Sequence, residues 1–165
     1  MTGAAFTVRP LEPGDRAWVL DIVRGWGGTD YMVSRGRVIP ATGLPGFCAV
    51  RPDGGRVGLA LYEPAGREWQ LVVLEAVDRF AGIGTELLAA VRKEAVSAGC
   101  RRLWLVTTND NLDALRFYQR RGFGVVAVHR GLREVAERLK PSIPLVGEFG
   151  IPLLSEVELE MRLTS

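Results

Sequence analysis

The sequence predicts an α/β (α+β) fold in which helices flank one mixed β-sheet, and three observations lead to this prediction. Apolar runs of strand length alternate along the chain with amphipathic segments whose apolar residues repeat at helical spacing. The dipeptides in "PDGG" (52–55) are strong hairpin-turn signals, and apolar runs flank them. Gly99 and Gly122 follow two of the amphipathic segments, and glycine is the usual residue just after a helix.

The first half of the chain is predicted as a strand, a helix and an antiparallel hairpin. "FTVR" (6–9) forms the strand, and Gly14 and Asp15 open a helix that ends near the glycines at 25–27. Segment 26–45 has weak periodicity and many glycines, and we expect it to hold a second short helix. The hairpin strands are 47–50 and 57–62. A strand from about Trp69 has a continuous apolar centre, which indicates burial on both faces.

The second half alternates helices and strands. Residues 85–98 repeat leucine, valine and alanine at helical spacing, and Asn and Asp at 109–111 open a further helix that ends at Gly122. A helix at 131–140 stops before Pro141, because proline disfavours the helical conformation of the residue before it. The remaining predictions are strands at 101–108 and 123–129, a proline-rich loop at 141–154 and an alternating final strand at 156–163, which could pair with a second subunit.

Composition excludes several classes of function. The 21 basic and 19 acidic residues give a net charge of +2, which is too balanced to indicate nucleic-acid binding. Two distant cysteines and one histidine make neither a disulfide framework nor a metal site. The sequence shows no signal-peptide pattern and no apolar run long enough to cross a membrane. We expect one cytoplasmic domain over 1–165, with no metal and no membrane or nucleic-acid partner.

The stretch "DRFAGIGTELL" (78–88) joins an apolar strand to an amphipathic helix through small residues. The free N–H groups and dipole of the helix start favour anions, and glycine lets the backbone approach them closely. A turn that needs glycine for its own dihedral angles explains the stretch equally well. It is not a Walker A loop, because Thr85 and Glu86 follow Gly84, and not a dinucleotide fingerprint, because Leu87 stands where the third glycine would be.

A second motif, "NLDALRFYQRRGF" (111–123), places polar and small residues on one helical stripe. Asn111, Ala114, Leu115 and Tyr118 fall at i, i+3, i+4 and i+7, hence on one face. Ala114 leaves room for a ligand, Asn111 lies at the positive end of the helix, and Tyr118 can donate a proton. The alternative is that Tyr118 is an amphipathic core residue whose hydroxyl reaches solvent.

Together the two motifs resemble those of the GCN5-related N-acetyltransferase (GNAT) family. "RFAGIG" (79–84) fits the family's acetyl-CoA loop Q/R-x-x-G-x-G/A, and "NLDALRFYQRRGF" fits its later helix motif N-x-x-A-x-x-F/L-Y-x-x-x-G-F. The resemblance covers roughly residues 6–129 and is strongest over 71–123. It implies a mostly antiparallel sheet of about six or seven strands that splays between the fourth strand, from Trp69, and the fifth, at 101–108.

The resemblance also implies a binding site for acetyl-CoA as acetyl donor. The main chain of the fourth strand would hold the pantetheine arm, the turn at 79–85 would hold the pyrophosphate, and Asn111 would contact the arm. The cofactor-binding residues expected on this basis are Leu74, Glu75, Ala76, Arg79, Phe80, Ala81, Gly82, Ile83, Gly84, Thr85, Asn109, Asn111, Ala114, Phe117 and Tyr118.

In such an enzyme Tyr118 is the candidate acid for the departing thiolate, and Glu68 is the candidate base for the attacking amine. Glu68 lies where some family members carry a base, although a solvated turn residue explains it equally well. Val106 stands where the ribosomal-protein N-terminal acetyltransferases carry a glutamate base. Trp26, Tyr31 and Arg35 lie in the segment where the family builds its acceptor pocket, and we expect His129 to be structural.

The function predicted is transfer of an acetyl group from acetyl-CoA to a primary amine of a small molecule or peptide, in a ternary complex. The alternative from another class is a non-catalytic CoA-binding regulatory module on the same fold. A third, an unrelated phosphate-binding domain, does not explain the second motif. Either a monomer or a homodimer is compatible with the sequence.

Overall fold

The computed structural model describes residues 5–77 and 81–164, which form four α-helices and nine strands. In these two stretches no helix is long and apolar enough to cross a membrane. The elements are β1 (Thr7–Pro10), α1 (Arg16–Arg24), β2 (Tyr31–Ser34), β3 (Arg37–Pro40), β4 (Gly46–Val50), β5 (Arg56–Glu63), β6 (Glu68–Ala76), α2 (Ile83–Ser97), β7 (Arg102–Thr108), α3 (Leu112–Arg120), β8 (Gly124–Arg130), α4 (Leu132–Leu139) and β9 (Ser155–Arg162).

Seven of these strands form one sheet in the order β1-β4-β5-β6-β7-β9-β8. The pair β6–β7 is parallel, with α2 as its crossover helix, and every other neighbouring pair is antiparallel. This confirms the predicted mixed, mostly antiparallel sheet of six or seven strands flanked by helices.

The prediction of a second short helix in 26–45 is wrong, because this segment forms the separate β2–β3 hairpin. Its two-residue turn has positive φ at both Arg35 (52°) and Gly36 (76°), as the twist of a tight hairpin requires. The usual sequence signal of such a turn is Asn-Gly or Asp-Gly. Arginine at the first position hid the hairpin from sequence reasoning.

The two faces of the large sheet bury separate hydrophobic cores. On one face, α2 and α3 cover residues of β6, β7 and β9, and Leu87, Val91 and Tyr118 belong to this core. On the other face, α1 and the β2–β3 hairpin cover residues of β5 and β6, and Val19, Val23 and Ile39 belong to this second core. We call these the α3 face and the α1 face.

Strands β6 and β7 pair over only three residue positions and then separate, as predicted. The last pair is Gln70 with Trp104. Just beyond it, β6 carries a bulge, since Leu71 pairs with Tyr62 but Val73 pairs with Leu61, which leaves Val72 as the extra residue. A bulge bends and twists its strand. The bend therefore starts where β6 leaves β7, and it opens a cleft in the middle of the sheet.

The final strand does not offer an edge to a second subunit. β9 pairs with β7 along one side and with β8 along the other. The sequence-based suggestion that it pairs with another subunit is therefore wrong, because both of its edges are used within the chain. The two edge strands of the sheet are β1 and β8.

A buried carboxylate fixes the start of α1 against the sheet. Asp15, whose exposed fraction is 1%, accepts hydrogen bonds from Arg9 Nη1 (2.7 Å), Arg56 Nε (2.9 Å) and the main-chain N–H of Glu12 (2.8 Å). The bonds from Arg9 make the largest contribution and lower the pKa of Asp15 far below its usual range, although burial opposes them. Asp15 thus joins β1, β5 and α1.

We expect Asp15→Asn to reduce the free energy of unfolding at pH 7 by about 2 kcal/mol, since it removes the charge of a buried hydrogen-bonded group. The lowered pKa stabilises the fold above the unfolded-state pKa of about 3.9, and this stabilisation is lost as the pH falls. The difference between wild type and variant should therefore begin to shrink at about pH 5 and continue to shrink as the pH falls below about 3.9. Denaturant unfolding at several pH values measures it.

Asp21→Asn is the matched control, because Asp21 is exposed on α1. We expect a change of no more than about 0.5 kcal/mol. Equal losses in the two variants, or a difference independent of pH, would contradict the role of Asp15.

Candidate active site

A narrow cavity occupies the cleft where β6 and β7 separate. Its volume is about 110 Å³, well below the roughly 300–1,000 Å³ of pockets that enclose a drug-sized ligand. It can therefore hold a chain-like arm or a small acyl group but not a whole nucleotide. The lining residues are uncharged, namely Trp26, Leu71, Val72, Leu74, Leu105, Val106, Thr107, Asn111, Ala114 and Tyr118.

The cavity connects the two faces of the sheet. Leu71, Leu105 and Tyr118 belong to the core of the α3 face, whereas Trp26 and Val72 pack against the core of the α1 face. Two reactants can therefore approach from opposite faces and meet between the strands.

Tyr118 lies on the α3 side of the cavity and is 9% exposed. Its ring packs edge-on against Phe117 and Phe123. None of the described residues forms a hydrogen bond with its hydroxyl. Burial raises the pKa of Tyr118 well above its ordinary value, so the hydroxyl is a protonated donor at physiological pH.

The start of α3 brings two more of the expected residues to the cavity. Asn111 caps the helix, and its Oδ1 accepts a hydrogen bond from the N–H of Ala114 at 3.2 Å. No residue in the described ranges accepts a hydrogen bond from the amide nitrogen of Asn111. Ala114 also lines the cavity, so its small side chain leaves space beside Asn111. The structure thus brings Asn111, Ala114 and Tyr118 together on one wall, as their spacing predicts.

The glycine-rich turn leads into α2 through a left-handed residue. Gly82 precedes the helix with φ 79°, and a Cβ atom there would meet open space. The side chain of Ile83 is buried, whereas Thr85 is exposed at the first turn. Ala81 lies at the described end of the turn, and the expected residues Arg79 and Phe80 lie outside the described residues.

Helix α3 packs closely against this helix start. A Cβ atom on Gly84 would come within 3.3 Å of the ring of Phe117. Arg121 donates a hydrogen bond to Thr85 Oγ1 at 2.9 Å and stacks over Phe117 at 3.7 Å. Arg121 therefore adds a positive charge beside the N-terminus of α2, a site suited to phosphate groups.

The end of β6 supplies main-chain groups rather than side-chain chemistry. The β6–β7 ladder ends at Gln70, so beyond it the edge of β6 towards β7 has no ladder partner among the described residues. Leu74 lines the cavity there, and Glu75 and Ala76 are half-buried further along the strand. This edge can bond an amide-containing arm in the manner of an added strand.

Two expected site residues lie away from the cavity. Asn109 is bound to the segment before β9, since its amide donates to the carbonyl of Pro152 (2.9 Å) and its Oδ1 accepts from the N–H groups of Leu154 and Ser155. Glu68 begins β6 at its paired end, with a side chain that is 62% exposed and 3.8 Å from Arg102. The structure brings neither to the cleft.

The α1 side of the cleft carries polar groups that sequence reasoning did not assign. The hairpin tip is held over the sheet, because Arg35 bonds Glu158 (3.1 Å) through its side chain and Glu156 through its N–H. His129, expected to be structural, bonds Glu158 at 2.9 Å. The period-2 alternation of "EVELEMRL" placed the glutamates on one face, but only the fold shows what lies above them.

A buried lysine holds the segment that carries Trp26. Lys140 is 3% exposed, and its ammonium donates to the carbonyls of Trp26 (2.8 Å) and Tyr31 (3.3 Å). The hydroxyl of Tyr31 in turn donates to the carbonyl of Leu139 at 2.8 Å. The expected acceptor segment is thereby fixed to the end of α4. Burial lowers the pKa of Lys140.

Comparison with known proteins finds one matching family model and a similar bacterial protein. A family model described as "Acetyltransferase (GNAT) family" matches residues 28–123. The uncharacterized protein YdhI of Bacillus subtilis (strain 168) is 39% identical over 132 residues, which are 80% of this chain and 82% of YdhI.

Solved structures share the fold at low sequence identity. A GNAT family acetyltransferase from Elizabethkingia anophelis with acetyl-CoA bound has a TM-score of 0.72 at 18% identity, over 96% of this chain and 98% of that one. A Bacillus subtilis acetyltransferase in complex with CoA has a TM-score of 0.70 at 17% identity, over 97% of this chain and 100% of that one. With the family model matching more than half of its length, this chain belongs to the GNAT family of acetyltransferases.

Proposed function

We propose that this protein is an N-acetyltransferase that moves the acetyl group of acetyl-CoA directly to a primary amine of a small molecule or peptide. The observation that carries the proposal is the neutral cavity that crosses the sheet between β6 and β7. Two reactants held on opposite sides of such a cavity react as if in one molecule, which is worth roughly 7–11 kcal/mol of barrier. We keep a cytoplasmic location as part of this proposal.

Acetyl-CoA would supply the acetyl group from the α3 side. The unpaired edge of β6 fits the amide-containing arm, and Asn111 offers an uncommitted amide nitrogen beside it. The helix start at 82–85, with Arg121 against Thr85, fits the negatively charged end of the molecule. Two solved neighbours hold acetyl-CoA or CoA, which supports this choice of ligand.

Tyr118 would donate a hydrogen bond to the departing sulfur. A thiol has a pKa of about 8.5 and a tyrosine about 10, so full proton transfer is already unfavourable, and burial raises the pKa of Tyr118 further. We therefore assign Tyr118 to stabilising the thiolate through a hydrogen bond more than to protonating it. Such a bond is strongest when the negative charge forms, which is what lowers a barrier.

The test of the proposed function is a screen of primary amines for release of the CoA thiol from acetyl-CoA. We expect at least one amine to be acetylated, and acetyl-CoA alone to raise the melting temperature. Stabilisation without turnover on any amine would favour the non-catalytic CoA-binding module instead. The absence of any change in melting temperature at millimolar acetyl-CoA would contradict the proposal that acetyl-CoA is the ligand.

We expect Tyr118→Phe to lower kcat by about 10- to 100-fold while acetyl-CoA affinity stays unchanged, because the lost hydrogen bond forms only as the sulfur departs. Stability should change little, since the described residues offer the hydroxyl no partner to lose. Steady-state kinetics and calorimetric titration with acetyl-CoA measure the two effects.

Tyr62→Phe is the control, because Tyr62 is also buried, packs against Trp69 and does not line this cavity. Its turnover should equal that of the wild type. Unchanged turnover in Tyr118→Phe would make Tyr118 structural.

We expect Gly82→Ala to weaken acetyl-CoA binding by about tenfold or more, because the change strains the turn that presents the N–H groups of α2. Gly99→Ala is a close control. Gly99 follows the other end of α2 with φ 83°, and a Cβ atom there would also meet open space. Both variants should lose about 1–2 kcal/mol of stability from the left-handed conformation. Only Gly82→Ala should lose affinity, and equal affinities in calorimetric titration would contradict the assignment of this turn.

A further inference from the structure

An amine that enters the cavity must first lose a proton, and among its described residues the cavity lining contains no carboxylate that could accept it. A typical primary amine has a pKa of about 10.4, so at neutral pH nearly all of it is an ammonium ion. An ammonium ion has no free electron pair to attack a carbonyl, and an uncharged lining that contains no carboxylate does not compensate its charge. The proton must therefore leave at the mouth of the cavity, on the α1 side, where the acceptor would approach.

Four other carboxylates among the described residues are poorly suited to take that proton. Glu68 is exposed at the paired end of β6. Asp110 is engaged by the Thr108 hydroxyl and by the N–H of Glu148. Glu158 is bound by Arg35, Arg102 and His129. Burial acts to raise its pKa, but the bonds from His129 and Arg102 outweigh it and lower the pKa. Glu75 is half-buried on β6 and already takes part in another interaction.

Glu156 differs from these in both place and partners. It pairs across the strands with Thr108, two positions along from the pair formed by Glu158 and the cavity-lining Val106. Its neighbour Val157 belongs to the core of the α3 face, so alternation along β9 puts Glu156 on the α1 face. Glu156 is therefore a diagonal neighbour of Val106, and such neighbours across strands lie about 7–8 Å apart, within reach of a long side chain.

The carboxylate of Glu156 is 7% exposed and holds weak hydrogen bonds. The main-chain N–H of Arg35 donates to its two oxygens at 3.2 and 3.3 Å. Burial raises the pKa of Glu156, while Arg35 and His129 act in the opposite direction. The charged or hydrogen-bonding groups next to it are Arg35 on the hairpin tip, His129 on β8, Glu158 on β9 and Thr108 on β7, while Arg102 reaches only as far as Glu158.

We propose that Glu156 accepts the proton of the incoming ammonium group, directly or through one water molecule, as the amine enters the cavity. This inference rests on the proposed acetyltransferase function. A carboxylate oxygen forms the new O–H bond, and the electrons of the broken N–H bond remain on nitrogen as its lone pair. That pair bonds to the thioester carbonyl carbon, the C–S electrons leave with sulfur, and the second surplus nitrogen proton passes to the sulfur. Glu156 then returns its proton to solvent.

The experiment is Glu156→Gln, assayed on the best amine from the screen and on analogues whose amines have lower pKa values. Glutamine keeps the shape and can still accept from the N–H of Arg35. At pH 7 we expect kcat/KM to fall by about 100-fold or more, with acetyl-CoA affinity unchanged. The loss should shrink for the low-pKa amines, which are already neutral. In the pH profile of kcat/KM, the acidic limb of the variant should lie at the pKa of the amine, shifted from its position in the wild type.

Glu160→Gln is the matched control, because Glu160 lies on the same strand and face, bonds Arg102 and Arg162, and pairs with Trp104 outside the cavity lining. It should stay within about threefold of the wild type. If the wild type is active and Glu156→Gln is equally active, the role proposed for Glu156 is overturned but the proposed function is not. The proposal is also overturned if Glu156→Gln lowers kcat/KM equally for every amine, or if the loss follows a loss of acetyl-CoA affinity. It is overturned too if Glu75→Gln lowers kcat/KM in the same way. A wild type inactive on every amine overturns the proposed function and this inference with it.

Discussion

Strands β6 and β7 stop sharing hydrogen bonds after Gln70 and Trp104, and the rest of the site depends on this separation. In a continuous sheet the main-chain groups of β6 beyond this point would be used within the ladder, and side chains would fill the space. The bulge at Val72 bends β6 at the point of separation. The same bend leaves a free strand edge, a cavity and a passage from one face of the sheet to the other.

The two cores give the passage two different ends. On the α3 face, close packing of α2 against α3 holds Tyr118 and Asn111 at the cavity wall, and it brings Arg121 to the first turn of α2. On the α1 face the cover is α1 and the β2–β3 hairpin, and charged groups hold the hairpin tip in place. The two reactants of the proposed reaction would thus face surfaces of different chemistry.

The hairpin tip shows how an ion pair serves position more than stability. Arg35 is held at φ 52°, a conformation that few non-glycine residues adopt, while its N–H and guanidinium bond two neighbouring glutamates. The side chain of Arg35 is 43% exposed, and ion pairs open to solvent contribute little net stability. They do fix the tip over β9, and they leave Glu158 fully engaged and Glu156 weakly so.

The sequence by itself determined most of the element order and which residues of α3 share one face. Periodicity and end signals located α2, α3, α4 and the strands of the large sheet, because those signals are local. The spacing of Asn111, Ala114 and Tyr118 predicted one helical stripe, and the structure places all three on the cavity wall. Local signals failed at the β2–β3 hairpin, where packing against the sheet and an unusual turn residue decided the structure.

Only the tertiary structure decided what faces the acceptor side. Glu68 is the first residue of β6 and lies at its paired end, while Asn109 is bound to the segment before β9. Glu156 is far from both motifs in sequence and comes next to the end of β7 because β9 inserts beside that strand. Which strands become neighbours depends on long-range pairing and burial, and no local pattern in the chain records it. The sequence therefore determined most helix and strand positions and the helical stripe on the cavity wall, and the sheet order decided which carboxylates lie on the α1 face.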